Sequence, residues 1–226
     1  MKVLDWNVRG LGDKDKCSLV RDTLTSCRPS VVCLQETKLD SFSARKLGGF
    51  LPSYLNKHVF VPSTGSSGGL LVAWDSAAIS GQLVVAHRFH ITMRLVSAAS
   101  HDSFLLTSVY APCHDHERSL FLEMASSAVG VVSEPWMVVG AFNMYRSEHE
   151  KSQGRINWSM MELFNGWIRE HGLDEVDISN RQFTWSNKCG CPTLVRLDRV
   201  LVNTEWLLAF VQTTASAVPA VTSDHI

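Results

Sequence analysis

The 226-residue sequence predicts an α/β fold of two packed, mixed β-sheets flanked by helices. Three observations carry that expectation. Short apolar runs of strand length recur from Lys2–Val8 to Val195–Val202. Four of them, Leu70–Trp74, Gln82–Arg88, Ile91–Val96 and Phe104–Tyr110, follow one another without a helical segment between them, as in a hairpin meander. Elsewhere helical spacing separates the runs, most clearly in Asn157–His171, where Met161, Phe164, Trp167 and Ile168 recur on one face. Strands and two-faced helices each have an apolar side to bury, and two sheets packed together with helices outside bury all of them.

In chain order, Lys2–Val8 reads as an extended apolar run and Asp13–Ser26 as a helix. Val31–Gln35 reads as a buried strand, Ser41–Leu47 as a short helix and His58–Pro62 as a further strand. Ser63–Gly69 reads as a Ser/Gly loop that opens the meander. Asp115–Val129 is helical, and Trp136–Phe142 is a buried strand running into Gly140-Ala141-Phe142-Asn143. Beyond the Asn157–His171 helix, Phe183–Trp185 and Val195–Val202 are strands around the polar loop Asn187–Thr193. Phe210–Val221 is loosely strand-like and leads to Ser223-Asp224-His225. No repeat, low-complexity tract or linker interrupts residues 1–226, so one domain is the economical reading.

The composition, 45% hydrophobic and 19% charged, is that of an ordinary globular protein. The longest apolar stretch, around Gly69–Trp74, is far too short to cross a bilayer, so no membrane partner is expected. Met1-Lys2 leads straight into a strand-like run, which predicts a chain without a signal peptide in a reducing compartment. The cysteines agree: Cys17, Cys27, Cys33 and Cys113 are scattered, and the C-x-C pair Cys189 and Cys191 lacks the second pair a zinc site wants. A formal net charge of −1 excludes strong nonspecific nucleic-acid affinity from charge alone.

Polar residues that end apolar strands are the candidates for chemistry, because a rigid strand end presents a reactive group to a cleft. Asn7, Glu36, Tyr110, Asn143 and Asp224-His225 occupy such ends. Asp198 lies between Leu197 and the apolar Val200–Val202, and a carboxylate buried there requires a partner. Singly, each has a bland reading as a turn former, a solvated loop residue or a packed ring. Together they fall within eight ordered motifs: Asp5-Trp6-Asn7-Val8-Arg9-Gly10, Leu34-Gln35-Glu36-Thr37, Ser67-Gly68-Gly69-Leu70, Val109-Tyr110-Ala111-Pro112, Gly140-Ala141-Phe142-Asn143, Phe183-Thr184-Trp185-Ser186, Arg196-Leu197-Asp198-Arg199 and Ser223-Asp224-His225.

This ordered set resembles the endonuclease/exonuclease/phosphatase superfamily, which includes deoxyribonuclease I, abasic-site endonucleases and the endonuclease domains of LINE elements. The stretches Gly68–Trp74, Phe183–Asn187, Pro192–Arg199 and Met161–Trp167 look like plant LINE (non-LTR) retrotransposons, whose endonuclease precedes a reverse transcriptase. The resemblance implies a four-layer, deoxyribonuclease I-like α/β sandwich with Asn7, Glu36, Tyr110, Asn143, Asp198 and His225 converging at one end. It implies one divalent ion, Mg2+ or Mn2+, with Glu36 as main ligand and Asn7 and Asp224 close by. It implies that His225 contacts the phosphate, that Asp198 holds the imidazole, and that Tyr110 and Asn143 bond the phosphate or the attacking water. Thr184 and Ser223 match minor phosphate contacts. Asn187 and Lys188 lie on a hairpin that reaches into the DNA groove, with Arg196 near the backbone.

The family carries Gly-Asp-Phe-Asn where this chain has Gly140-Ala141-Phe142-Asn143. The aspartate orients or deprotonates the attacking water, which alanine cannot do, and losing a general base costs ~10²–10⁴ in rate. One such change in an otherwise intact set reads as inactivation rather than gradual decay. Cys113 stands where Asn is frequent. The chain ends at Ile226, where the family usually continues into a last strand, so His225 lies in a segment able to fray, and its bond to Asp198 is expected unless the terminus drifts. The function implied is a DNA-nicking endonuclease that generates a 3′-OH primer for reverse transcription, impaired here through Ala141. Its partners are double-stranded DNA, the reverse-transcriptase domain of the same polyprotein and, indirectly, element RNA. Its location is nuclear, with a cytoplasmic phase in a ribonucleoprotein. An abasic-site repair endonuclease, another phosphodiesterase or phosphatase of this fold, and a degenerate DNA-binding module are the alternatives.

Overall fold

The computed structural model describes residues 1–65, 67–129, 132–219 and 223–225. They form two compact units, Met1–Tyr110 and Ala111–Ile226.

In the first unit, strand β1 (Val3–Asn7) and helix α1 (Lys14–Cys27) are followed by β2 (Val31–Gln35), helix α2 (Ala44–Phe50), β3 (Lys57–Thr64) and β4 (Ser67–Trp74). The strands form a mixed sheet in the order β1-β2-β4-β3: β1 runs parallel to β2, and β4 runs antiparallel to both β2 and β3. Every residue of β2 is buried, which explains the apolar run Val31–Leu34 before the polar Gln35. Asp13 caps α1 by accepting from the Lys16 N–H, and Ser43 caps α2 by accepting from the Lys46 N–H. A meander follows, of β5 (Ile79–His87), β6 (His90–Ser97) and β7 (Ser103–Tyr110), each antiparallel to the next. The expected Ser63–Gly69 loop is shorter than its composition suggests. Both flanking strands extend into it, and Thr64 pairs with Ser67.

In the second unit, helix α3 (Asp115–Val129) precedes β8 (Trp136–Ala141), helix α4 (Trp158–Glu170) and the short strand β9 (Leu173–Glu175). Strands β10 (Trp185–Ser186) and β11 (Leu194–Val195) form a hairpin, and β12 (Asp198–Asn203) leads into helix α5 (Thr204–Ala209). Strand β12 lies between β8 and β9, antiparallel to both. Helix α4 buries Phe164, Trp167 and Ile168 of the stripe that its spacing predicts, and Met161 is half-buried at its edge. Asn203 ties the unit together: its side chain accepts from the Trp206 N–H, capping α5, and from the Trp136 N–H, and donates to the Glu134 carbonyl.

Two expectations are corrected here. Val195–Val202 is two strands, because the Thr184 hydroxyl accepts from the N–H groups of Leu197 and Asp198 and interrupts the ladder. Asp198 therefore starts a strand instead of sitting inside one. Phe210–Val221 contains no named strand among its described residues, only a bridge between Ala215 and Ile178; positions 220 and 221 lie outside the described residues. Helix α5 directly precedes this segment, in a stretch not expected to be helical, and Asn203 caps it locally by accepting from the Trp206 N–H.

The β5–β6 hairpin holds an acid-sensitive group. His90 is 2% exposed and pairs across the turn with His87. Burial, aided by His87, lowers the His90 imidazole to about 4; burial, aided by Arg88, lowers His87. An imidazole whose folded value lies below its unfolded one takes up a proton on unfolding, so stability rises with pH. The His90 contribution is complete above about 6.5 and is lost as pH falls towards about 4. The full shift corresponds to at most about 3 kcal/mol. Denaturant unfolding across this window is expected to show the slope in the native protein and a flatter one in His90→Phe. Equal slopes would place the acid lability elsewhere.

Candidate active site

The first unit carries Asn7, Glu36 and Tyr110, each at a strand end. Glu36 follows β2 in a left-handed conformation, φ 50°, and Lys38 repeats it at φ 54°. That region costs an L-residue about 1–2 kcal/mol, and it persists where the surroundings over-determine it. Backbone hydrogen bonds do so here. The N–H groups of Val8, Gly10 and Leu11 donate to the carbonyls of Gln35 (3.0 Å), Glu36 (2.6 Å) and Thr37 (2.9 Å). From the other side, Thr37 and Lys38 donate to Gly69 and Gly68, both at 3.1 Å. The Gly68-Gly69 motif now has a physical reason. Gly69 has φ +89°, and a Cβ there would collide with the Thr37 hydroxyl and lie 3.1 Å from the Lys38 nitrogen.

The clamp aims the Glu36 carboxylate. Tyr110 donates its hydroxyl to Oε1 at 2.6 Å, and the Lys38 ammonium lies 3.3 Å from Oε2. Asn7 is buried, and its Oδ1 accepts from the Arg9 N–H at 3.1 Å. Beneath, the Gln35 amide donates to Asp5 and to Ser108, at 2.5 and 3.1 Å, closing a buried polar layer under the loop. In the same layer, burial, reinforced by Asp5, pushes the Cys33 thiol well above its usual range, which keeps it protonated and inert.

The second unit carries the remaining candidates. Ala141 ends β8, fully buried, and is the ladder partner of Asp198. Asn143 has φ 54° and donates its amide to the Ala111 carbonyl at 2.6 Å, which leaves Oδ1 as the group suited to accept from a water. Asp198 grips the His225 imidazole: both carboxylate oxygens lie within 2.9 Å of Nδ1. A carboxylate at Nδ1 favours the tautomer protonated there, which makes Nε2 the acceptor nitrogen of the ring.

The segment Ser223–His225 is docked rather than frayed. Ser186 N–H donates to the Asp224 carbonyl at 3.0 Å, the Trp185 indole donates to the Asp224 carboxylate at 3.0 Å, and the Lys188 ammonium donates to the Ser223 carbonyl at 2.8 Å. The Ser223 hydroxyl accepts from the His225 N–H.

The groups expected to meet DNA are engaged internally. Thr184, 1% exposed, spends its hydroxyl on the Leu197 and Asp198 N–H groups. Asn187 closes its own loop by accepting from Cys189 and Thr193. The Arg196 guanidinium pairs with Glu175 at 2.8 Å and Asp177 at 3.6 Å. Two further residues belong to these contacts, Lys38 and Trp185. Both lie within or directly after quoted motifs, yet no local pattern announces that one pairs with Glu36 and the other holds Asp224.

Gly69→Ala is expected to lower stability by ~1–3 kcal/mol, the range for forcing a methyl into packed space. Denaturant midpoints of the two proteins check this, and an unchanged midpoint would mean that the clamp yields.

No curated protein matches the sequence. Among solved structures, the AP endonuclease LMAP from Leishmania major superposes with a TM-score of 0.74 at 16% identity, covering 99% of this chain and 85% of that one. An AP endonuclease from Archaeoglobus fulgidus gives 0.66 at 15% identity, over 90% and 86%. The endonuclease domain of TRAS1, a telomere-specific non-LTR retrotransposon, gives 0.64 at 13% identity, over 91% and 86%. These likenesses establish the fold class expected from the sequence, two mixed β-sheets flanked by helices. The model of the endonuclease/exonuclease/phosphatase family matches residues 6–225, and the chain belongs to that family of hydrolytic nucleases and phosphatases.

Proposed function

We propose that the chain is the DNA-nicking endonuclease domain of a plant-type LINE retrotransposon, cutting one strand of target DNA to leave a 3′-OH primer. The observation that carries the reading is the Asp198–His225 pair, an imidazole held by a carboxylate in a member of a phosphodiesterase family. The likeness to the TRAS1 endonuclease domain supports the retrotransposon assignment. Double-stranded DNA, the reverse-transcriptase domain of the same polyprotein and element RNA are the proposed partners, with action in the nucleus after a cytoplasmic ribonucleoprotein phase.

The residues fit a magnesium or manganese ion better than zinc. Among the described residues no group of three or more His, Cys, Asp or Glu side chains gathers. Magnesium needs only one or two carboxylates and takes the rest of its shell from water and phosphate oxygens. Glu36 is the proposed main ligand, and Asn7 and Asp224 are the further groups assigned to the ion. When bound, the ion neutralises charge on the phosphate and on the leaving 3′ oxygen. The protein's own part is positioning. The Tyr110 hydroxyl and the backbone clamp orient Glu36, Asp198 fixes the imidazole tautomer, and Asn143 offers Oδ1 to a water.

Ala141 supplies no base for that water. An aspartate there would face Asp198 across the ladder, at a Cβ separation of about 4.5–5.5 Å. A like charge so near raises a carboxyl's pKa, which suits a general base. Ala141→Asp is expected to raise magnesium-dependent nicking of supercoiled plasmid by ~100-fold or more. Equal, measurable nicking by both proteins would remove position 141 from the mechanism, and no nicking by either would leave a DNA-binding module. The two AP endonucleases among the structural neighbours favour a second reading, abasic-site cleavage. In the Ala141→Asp protein, a strong preference for abasic duplex over intact plasmid would select it.

A further inference from the structure

The Glu36 carboxylate already has a counter-ion. The Lys38 ammonium lies 3.3 Å from Oε2, with side chains 35% and 15% exposed respectively. The pairing is built into the backbone. Glu36 and Lys38 both adopt left-handed conformations around the buried Thr37, and five backbone hydrogen bonds from two neighbouring segments hold this stretch. The lysine's stem also has reserved space. Gly10 has φ +100°, and a Cβ there would touch the Lys38 side chain, 3.4 Å from Cδ. Tyr110 donates to the other oxygen, so both carboxylate oxygens are occupied.

From this we infer that Lys38 is a built-in competitor for the divalent cation: its ammonium neutralises Glu36 in the metal-free protein and must be displaced for the ion to bind. The inference rests on the reading of Glu36 as the main ligand. A monovalent ammonium on a flexible stem is a replaceable ligand, unlike a second fixed cation. The arrangement spares Glu36 an unpaired, part-buried charge before the ion arrives, and it lowers cation affinity by the strength of the pair. On displacement, the ammonium is released as a positive charge beside a loop assigned to phosphodiester chemistry, where it can pair with a phosphate oxygen.

The test is a manganese titration, read by calorimetry or by electron paramagnetic resonance, on the native chain, Lys38→Gln, Lys38→Arg and Glu36→Gln. Lys38→Gln is expected to bind Mn2+ about twofold to fivefold more tightly, the range for releasing a partly exposed ion pair. Lys38→Arg keeps the charge and is expected to stay near the native affinity. Affinity in Lys38→Gln equal to or weaker than native overturns the inference. A second readout needs no substitution at Lys38. Amine-reactive labelling of Lys38, followed by mass spectrometry, is expected to rise when Mn2+ saturates the native chain and to stay unchanged in Glu36→Gln. Labelling that ignores the ion in the native chain also overturns the inference. Loss of Mn2+ binding in Glu36→Gln with no effect of Lys38→Gln would end the competitor role and leave the metal site standing. Undiminished binding in Glu36→Gln would remove the metal site itself.

Discussion

A guanidinium with no exposed surface, Arg199, is the charge around which the second unit is arranged. It pairs with Glu150 and, at 2.8 Å, with Glu175, while Arg146 at 2.9 Å and Arg196 at 2.8 Å share Glu175. The Arg146 side chain is braced in turn by Asn165 on α4. Burial by itself would raise the Glu175 carboxyl, but Arg199, Arg196 and the arginine hydrogen bonds outweigh it and hold it below its usual range. Arg199 depends on the Glu150 and Glu175 carboxylates together, since a buried charge left alone is costly by about 3–5 kcal/mol. Its consequence for the site is geometric. Side chains alternate along a strand, so fixing Arg199 on one face of β12 fixes Asp198 on the other. The His225 imidazole is therefore placed by a carboxylate that has little freedom to move.

The first unit solves the same problem with backbone. Glu36 sits at the end of a buried strand, in a conformation that side chains avoid, and hydrogen bonds from the Val8–Leu11 and Gly68–Gly69 segments keep it there. A carboxylate aimed this way keeps its direction without a second charged wall around it. That suits an ion whose shell is completed mostly by water and substrate oxygens.

The electrostatics follow from these internal commitments. The chain is nearly neutral, with a formal net charge of −1. Lys38, Lys188 and Arg196, cations placed in or beside the family motifs, are each tied to an oxygen of the same protein. A cation that already has a partner adds less to counterion release on DNA than a solvated one.

The sequence alone determined the kinds of elements and the order of the candidate residues. Buried strands such as β2 and β8 have to be continuous apolar runs, the apolar stripe of α4 repeats at helical spacing, and polar residues at strand ends stand out against both. What the sequence could not decide is which partner each polar group takes. Glu36 with Lys38 and Tyr110, Asp224 with Trp185, and Arg196 with Glu175 are choices among many local possibilities. Thr184 likewise breaks an apolar run that looks like one strand, because its hydroxyl happens to reach two N–H groups on a distant segment. Periodicity records which face of an element meets the core, and that is a local property. Most of these bonds are settled only when segments far apart in the chain come within about 3 Å. Even the Glu36–Lys38 pair depends on backbone that the Val8–Leu11 and Gly68–Gly69 segments hold, so the tertiary structure decides it too.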